Sequence, residues 1–418
     1  MRRNPSMRKK NMTLNRRAFL QLGAGSVAAW RAPWPRGDEA PSAAALAKVF
    51  AQLEYLTRDE DFINYGRGHP PPWQLPKEKK RAVGLTPESW YLEVRPDPAS
   101  NAQVEHPLTR QRGTALDWAG LMRLAERHAV RFLGVMSCTN GRRPCGMGLW
   151  EGVPLREVIW RARPVANVRR VTYYGYHNDD PAQRFQSSLP IGRVLEDPPG
   201  ELPVILCYKL NGRWLTSKRG GPVRMLVPGY YGNKSVKWLQ QVLLTNDPEA
   251  HETYAKWNND TESHLKTCAR FLQAPKRVPA GERAVIVGVA QVGMSGLKRV
   301  QYAVTPASVS PAPDDPYGAR LPWRDAVLAP PPRRWGGGLP DDRLPPVPAQ
   351  VDPATGRPRA WPLRDTIVHW AALLPELPAG HYLLCCRTID ARGVAQPMPR
   401  PFPKSGNNKI ETRELEVV

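Results

Sequence analysis

The sequence predicts an α+β domain followed by a β-sandwich. Three observations carry that prediction. Strand-like and helix-like apolar periodicities interleave as far as residue 273, and after it come short strand-like runs punctuated by turn signals. A chain of 418 residues also exceeds what one hydrophobic core usually supports. The expected division is a leader and tether over 1–40, the α+β domain over 41–273, and the sandwich over 274–418.

The elements follow in order. A Pro-rich tether (31–40) leads to a helix expected over 41–55. The run from Phe62 to Pro72 reads as a strand entering a rigid polyproline loop. "SWYLEVRPD" alternates like a half-buried strand, and "TALDWAGLMRLAERHA" carries apolar residues at helical spacing with Thr114 as its expected cap. "AVRFLGVMS" is a strand running into the turn at Cys138, and "LREVI" opens a further helix. "VRRVTYYGYHNDD" and "LPVILCYKLNGRWL" are strands, the second reversing at Asn211-Gly212.

"GGPVRMLVPGYYGNKSVKWLQQVLL" then supplies a strand, a glycine-containing loop and a basic segment; a helix, if one begins near Ser235, would add its N-terminal amides to the pull on an anion. In the second half "RAVIVGVAQVG", "LKRVQYAVTP", "TIVHWAALLP" and "GHYLLCCRTID" are strands. The Pro/Gly/Arg-rich stretch over about 310–359 is expected to be a surface excursion with little core-forming capacity.

Composition narrows the function classes. Fourteen tryptophans require buried aromatic volume rather than disorder, and 46 prolines point to loops and edges. A net charge of +22 invites a nucleic-acid reading, but the arginines are dispersed and no nucleic-acid-binding motif is present. An affinity for small anions, or for an acidic redox partner, accounts for the charge equally well. No segment after the leader has the length and apolarity of a membrane span. Met1–Arg17 carries seven basic residues and no acid, and leads through Arg16-Arg17 into Phe19, Leu20 and a short Ala/Gly run. This resembles a twin-arginine export signal and implies a periplasmic protein delivered already folded.

The six cysteines form no CxxC, no haem-attachment site and no zinc spacing. Cys385 and Cys386 are adjacent in a strand, so they point to opposite faces as packing residues. Cys138 differs: Thr139, Asn140, Gly141, Arg142 and Arg143 follow it, and their dipoles and charges favour a thiolate. Such a sulfur is a soft metal ligand or a nucleophile; a Cys138–Cys145 disulfide is the competing reading.

These residues together resemble the sulfite oxidase family of molybdenum enzymes. Arg67-x-His69 before prolines is similar to the family's Arg-Asn-His loop, and "SCTNGRR" to its cysteine turn. "RGGPVRMLVPGYYGNKSVKWL" is similar to its His-Gly-x-Pro-Val-Arg…Val-Lys-Trp-Leu block, and "DARGVAQPMPRPFPKSGNN" to the end of its immunoglobulin-like dimerisation domain. The resemblance implies a molybdenum–molybdopterin cofactor with Cys138 as the protein's metal ligand, and a homodimer. It implies Arg67 as an oxyanion contact, Arg131 near the substrate, and His69 and His177 as cofactor contacts. Arg219, which stands where the family has histidine, and Arg224, Lys234, Ser235 and Lys237 are the expected contacts to the cofactor's phosphate and pterin.

The chain departs from the family at the tyrosine expected after Val-Lys-Trp-Leu. Asn258 or Asn259 occupies that neighbourhood, with Asn259 taken as the catalytic counterpart, and Tyr254 falls a few residues early. The expected function is oxygen-atom transfer on a small sulfur oxyanion, with electrons passed to a separate partner such as a cytochrome. A sulfoxide reductase on the same cofactor, or a non-catalytic exported scaffold, is the alternative.

Overall fold

The computed structural model describes residues 39–66, 68–255, 260–309, 314–315, 317–345, 348–397 and 406–418. The leader, Arg67, Asn258 and Asn259 therefore lie outside the described residues.

Two sheets build the first half. In one, β1 (Tyr91–Pro96) lies parallel to β10 (Leu239–Thr245), with β2 (Leu116–Asp117) on one side and β5 (Arg170–Gly175) and β6 (Gln186–Pro190) on the other. In the second, β3 (Val130–Met136), β4 (Gly146–Pro154), β7 (Ile205–Leu210) and β8 (Arg213–Trp214) run antiparallel, and β9 (Arg224–Leu226) pairs with β7. On β7, Leu206 and Tyr208 join one core cluster while Ile205 and Cys207 join another, as period-two geometry requires.

Helices cover the first core. Trp118–His128 buries Leu121 and Leu124 against Leu155, Val158 and Ile159 of the helix Leu155–Ala162. Each such leucine contributes roughly 2 kcal/mol of hydrophobic burial. The Asp117 carboxylate caps the first helix by accepting the Gly120 N–H at 2.7 Å. Thr114, the expected cap, instead donates to the Pro107 carbonyl.

In the second half, β11 (Cys268–Gln273), β13 (Val285–Val292), β17 (Thr366–Leu373) and β16 (Val327–Leu328) form a four-stranded sheet. The facing five-stranded sheet is β12 (Arg277–Val278), β19 (Glu411–Val417), β18 (Gly380–Ile389), β14 (Arg299–Pro306) and β15 (Arg324–Asp325). Ile286, Trp370, Val300, Leu384 and Leu415 from both sheets share one core, so the two pack face to face. Cys386 points into that core and Cys385 into a separate cluster on the other face.

Three expectations are corrected. The described residues of the 62–72 segment form no ladder; they are extended or turned and lead into the turn Pro72–Gln74. No helix begins at Ser235, where consecutive turns lead directly into β10. The 310–359 stretch is not merely superficial: Trp335, Leu339 and Val351 are buried with Leu133 and Leu149 of the first half.

Candidate active site

The Cys138 turn is held at both ends. Cys145 N–H donates to the Met136 carbonyl at 2.7 Å, which returns the chain into β4, and Gly141 N–H closes on the Cys138 carbonyl at 3.0 Å. Gly232 N–H donates to the Ser137 carbonyl at 2.7 Å, joining this turn to the loop after β9. A Cβ at Gly232 would meet Met136 Sδ and the Ser137 carbonyl at 3.1 Å, so a larger residue would push the two loops apart.

The second wall is a pair of crossing segments, 219–226 and 235–239. Met225 N–H donates to Val236 and Leu239 N–H to Val223, so side chains from both segments meet. Arg224 donates to the carbonyls of Arg219 at 2.9 Å and Ser235 at 2.7 Å, and the Ser235 hydroxyl accepts the Val227 N–H. Gly220 has φ +96°, and a Cβ there would meet Lys237 Cγ at 2.6 Å, so this approach needs glycine.

Together these elements enclose a cavity of about 190 Å³. Cys138, His177, Arg219, Arg224, Ser235 and Lys237 all line it, although they come from four separate stretches of chain. His177 follows β5, is buried, and sets its ring edge-on to Trp238 at 5.9 Å with Nδ1 3.1 Å from the Gly175 carbonyl.

Charge in the cavity is one-sided. Arg219 has a carboxylate partner, Asp59, at 2.9 Å. Arg224 donates only to carbonyls, and Lys237 Nζ donates to Asn64 Oδ1 at 2.6 Å and to the carbonyls of Tyr65 and Lys218. Burial lowers the Arg224 guanidinium to about 10 and, with help from the two arginines, holds Lys237 well below the ordinary lysine range. Three cations with one carboxylate among them form a site waiting for negative charge. Burial pushes the Cys145 thiol up to about 12, so it stays protonated, whereas Cys138 is half-buried on the cavity wall. None of the six cysteines is joined in a disulfide, which removes the disulfide reading.

Three expected site residues are elsewhere. Lys234 is buried in an ion pair with Glu252 and donates to the Ser188 carbonyl, so it faces the core rather than the cavity. Arg131 pairs at 2.5 Å with Glu151, its cross-strand neighbour on β4, which also takes Lys209 at 3.0 Å. His69 is exposed and does not line the cavity. Conversely, Tyr254 does line it, with its ring edge-on to Phe185 at 5.3 Å. Asn233 also lines it, and its buried Oδ1 has no hydrogen-bond partner among the described residues. On its other side Cys138 borders a small recess with Arg142, Arg143 and Arg270.

Residues 85–254 match the model of the oxidoreductase molybdopterin-binding domain. A mitochondrial sulfite oxidase from Mus musculus is 34% identical over 110 residues, covering 26% of this chain and 19% of that protein. A nitrate reductase [NADPH] from Beauveria bassiana is 28% identical over 200 residues, covering 46% of this chain and 21% of that protein. The matched regions thus span about a fifth of these relatives' length. The fold is similar to that of the sulfane dehydrogenase SoxCD from Paracoccus pantotrophus, with a TM-score of 0.55 at 18% identity over 81% of this chain and 80% of that one.

Proposed function

This chain belongs to the sulfite oxidase family of molybdopterin-dependent oxidoreductases, and we propose that it catalyses oxygen-atom transfer on a small sulfur oxyanion. The observation that carries the reading is the joint presence of Cys138 and the Arg219, Arg224 and Lys237 cations in one cavity. The residues fit the cofactor's chemistry. The under-compensated cations suit its phosphate, and the unpartnered Asn233 Oδ1 suits ring N–H donors. The Cys138 sulfur suits a soft metal. When bound, this cofactor supplies a metal that exchanges an oxygen atom and two electrons with a substrate.

The chain's own residues set the conditions for that exchange. Cys138 would hold the metal from the end of β3, fixed by the two backbone bonds that pin its turn. Arg219, Arg224, Ser235 and Lys237 would hold the anionic end, with Arg224 itself oriented by the Ser235 and Arg219 carbonyls. Exposed Arg142 and Arg143 would draw an anionic substrate toward the Cys138 turn, with Arg67 as a further oxyanion contact. Tyr254, which lines the cavity, would supply a phenolic O–H for a proton. Oxidation of a sulfur oxyanion takes one oxygen from water, releases two protons, and sends two electrons singly to a separate acceptor protein.

The sulfoxide-reductase alternative rests on the absence of a tyrosine at the family's position; a tyrosine on the cavity lining, Tyr254, supports the oxidative reading instead. We further propose that the facing sheets of the second half are an immunoglobulin-like sandwich used for homodimerisation. Export to the periplasm by the N-terminal twin-arginine segment is the proposed location. No helix among the described residues is long and apolar enough to cross a membrane. Purified protein should carry about one molybdenum per chain and reduce ferricyanide with sulfite or a related sulfur anion. Folded, exported protein without molybdenum would instead support the scaffold reading.

A further inference from the structure

We infer that electrons leave the cavity across the Trp238–Trp73 contact, and that the basic surface around Trp73 docks an acidic one-electron carrier protein. The inference rests on the oxidoreductase reading above and gives its partner a place.

Trp238 is fully buried and lines the cavity. Its indole stacks on Trp73, with centroids 5.9 Å apart and planes 22° from parallel. Trp73 is half-exposed and also presses on the cavity wall: a Cβ at Gly66 would lie 2.2 Å from its ring. One π-stacked pair therefore joins the cavity to solvent.

Cations gather where that pair reaches the surface. Lys80 Nζ donates to the Trp73 carbonyl at 2.8 Å, so the short helix Lys77–Ala82 is anchored beside the indole. That helix exposes Lys77 and Arg81. Lys218 is exposed one residue from Ser217, whose carbonyl accepts the Trp238 indole N–H at 2.9 Å. The acids here include Glu78, Glu88 close to Lys77 and Arg81, Asp179, which already pairs with Lys79 at 2.7 Å, and Asp59, which already pairs with Arg219 at 2.9 Å, so cations still outnumber free carboxylates. A positive rim around a half-exposed aromatic is complementary to an acidic protein surface and would steer its encounter. A polyanion attracted by charge alone would gain nothing from an indole stacked through to the cavity. Each substrate oxidised yields two electrons, so two carriers are reduced per turnover.

The test uses the full cofactor-loaded chain and an acidic single-haem cytochrome c as probe. Binding is titrated at about 20 and about 200 mM salt, beside vesicles containing phosphatidylglycerol. We expect binding that tightens at low salt, and a loss of roughly tenfold or more there in the Lys77→Glu/Arg81→Glu variant. Trp73→Leu should keep the affinity but slow cytochrome reduction several-fold more than ferricyanide reduction by the same variant. No cytochrome binding, binding indifferent to the charge reversal, binding of vesicles alone, or equal slowing with both acceptors would overturn the inference. A wild-type chain that reduces neither acceptor defeats the functional reading, while the titration still decides the docking face.

Discussion

Lys234 and Glu252 form an ion pair sealed from solvent, each about 1% exposed. The pair ties the loop carrying Ser235 to the segment carrying Tyr254. Glu252 also accepts from the Ser188 N–H and hydroxyl, and the Tyr173 hydroxyl donates to the Lys234 carbonyl at 2.7 Å. Removing one partner strands a buried charge, so Lys234→Met or Glu252→Ala should destabilise by about 3–5 kcal/mol. Urea unfolding of cofactor-free protein measures this. A loss under about 1 kcal/mol would show that the pair does not hold the loops.

Lys237 gives a pH signature. Its folded-state pKa lies well below the ordinary 10.5, so the unfolded chain binds more protons between the two values. Its contribution to the stability of cofactor-free protein therefore rises with pH through that window. Lys237→Met should be stabilised most at the low-pH end, and its advantage over wild type should shrink toward pH 10. Unfolding midpoints of both proteins across the alkaline range test the sign. An advantage that grows with pH would contradict it.

The Arg131–Glu151 pair is structural and partly exposed. Arg131→Ala should cost about 1 kcal/mol or less and leave molybdenum content, kcat and KM near wild type. Steady-state kinetics on loaded protein decides this. A large rise in KM would return Arg131 to the substrate site.

Tyr254→Phe keeps the ring that meets Phe185 and removes the hydroxyl. If that hydroxyl handles a proton, kcat should fall by roughly 10²-fold with molybdenum content unchanged. Unchanged kcat and an unchanged pH–rate profile would exclude the role.

Much of the fold was legible because it rests on local pattern. The alternation in "SWYLEVRPD" became β1, the Asn211-Gly212 reversal joins β7 to β8, and adjacent Cys385 and Cys386 face opposite cores. What was missed depends on partners distant in sequence. Lys234 looks like an anion contact until Glu252, eighteen residues away, folds back onto it. Arg131 is consumed by Glu151 across a strand pair. Tyr254 reaches the cavity along irregular chain after β10, where residue spacing has no fixed geometric meaning. Trp335, Leu339 and Val351 are single apolar residues among prolines and glycines, with no period to mark them as core.

The central claim is that the Cys138 sulfur, opposite the Arg219, Arg224 and Lys237 cations, ligates the cofactor's metal. Molybdenum-edge X-ray absorption of wild type and Cys138→Ser tests it most directly. The account predicts about one molybdenum per wild-type chain, and a variant that either loses the metal or shows one sulfur fewer in its coordination shell. A variant with full metal content and the wild-type sulfur shell would contradict it.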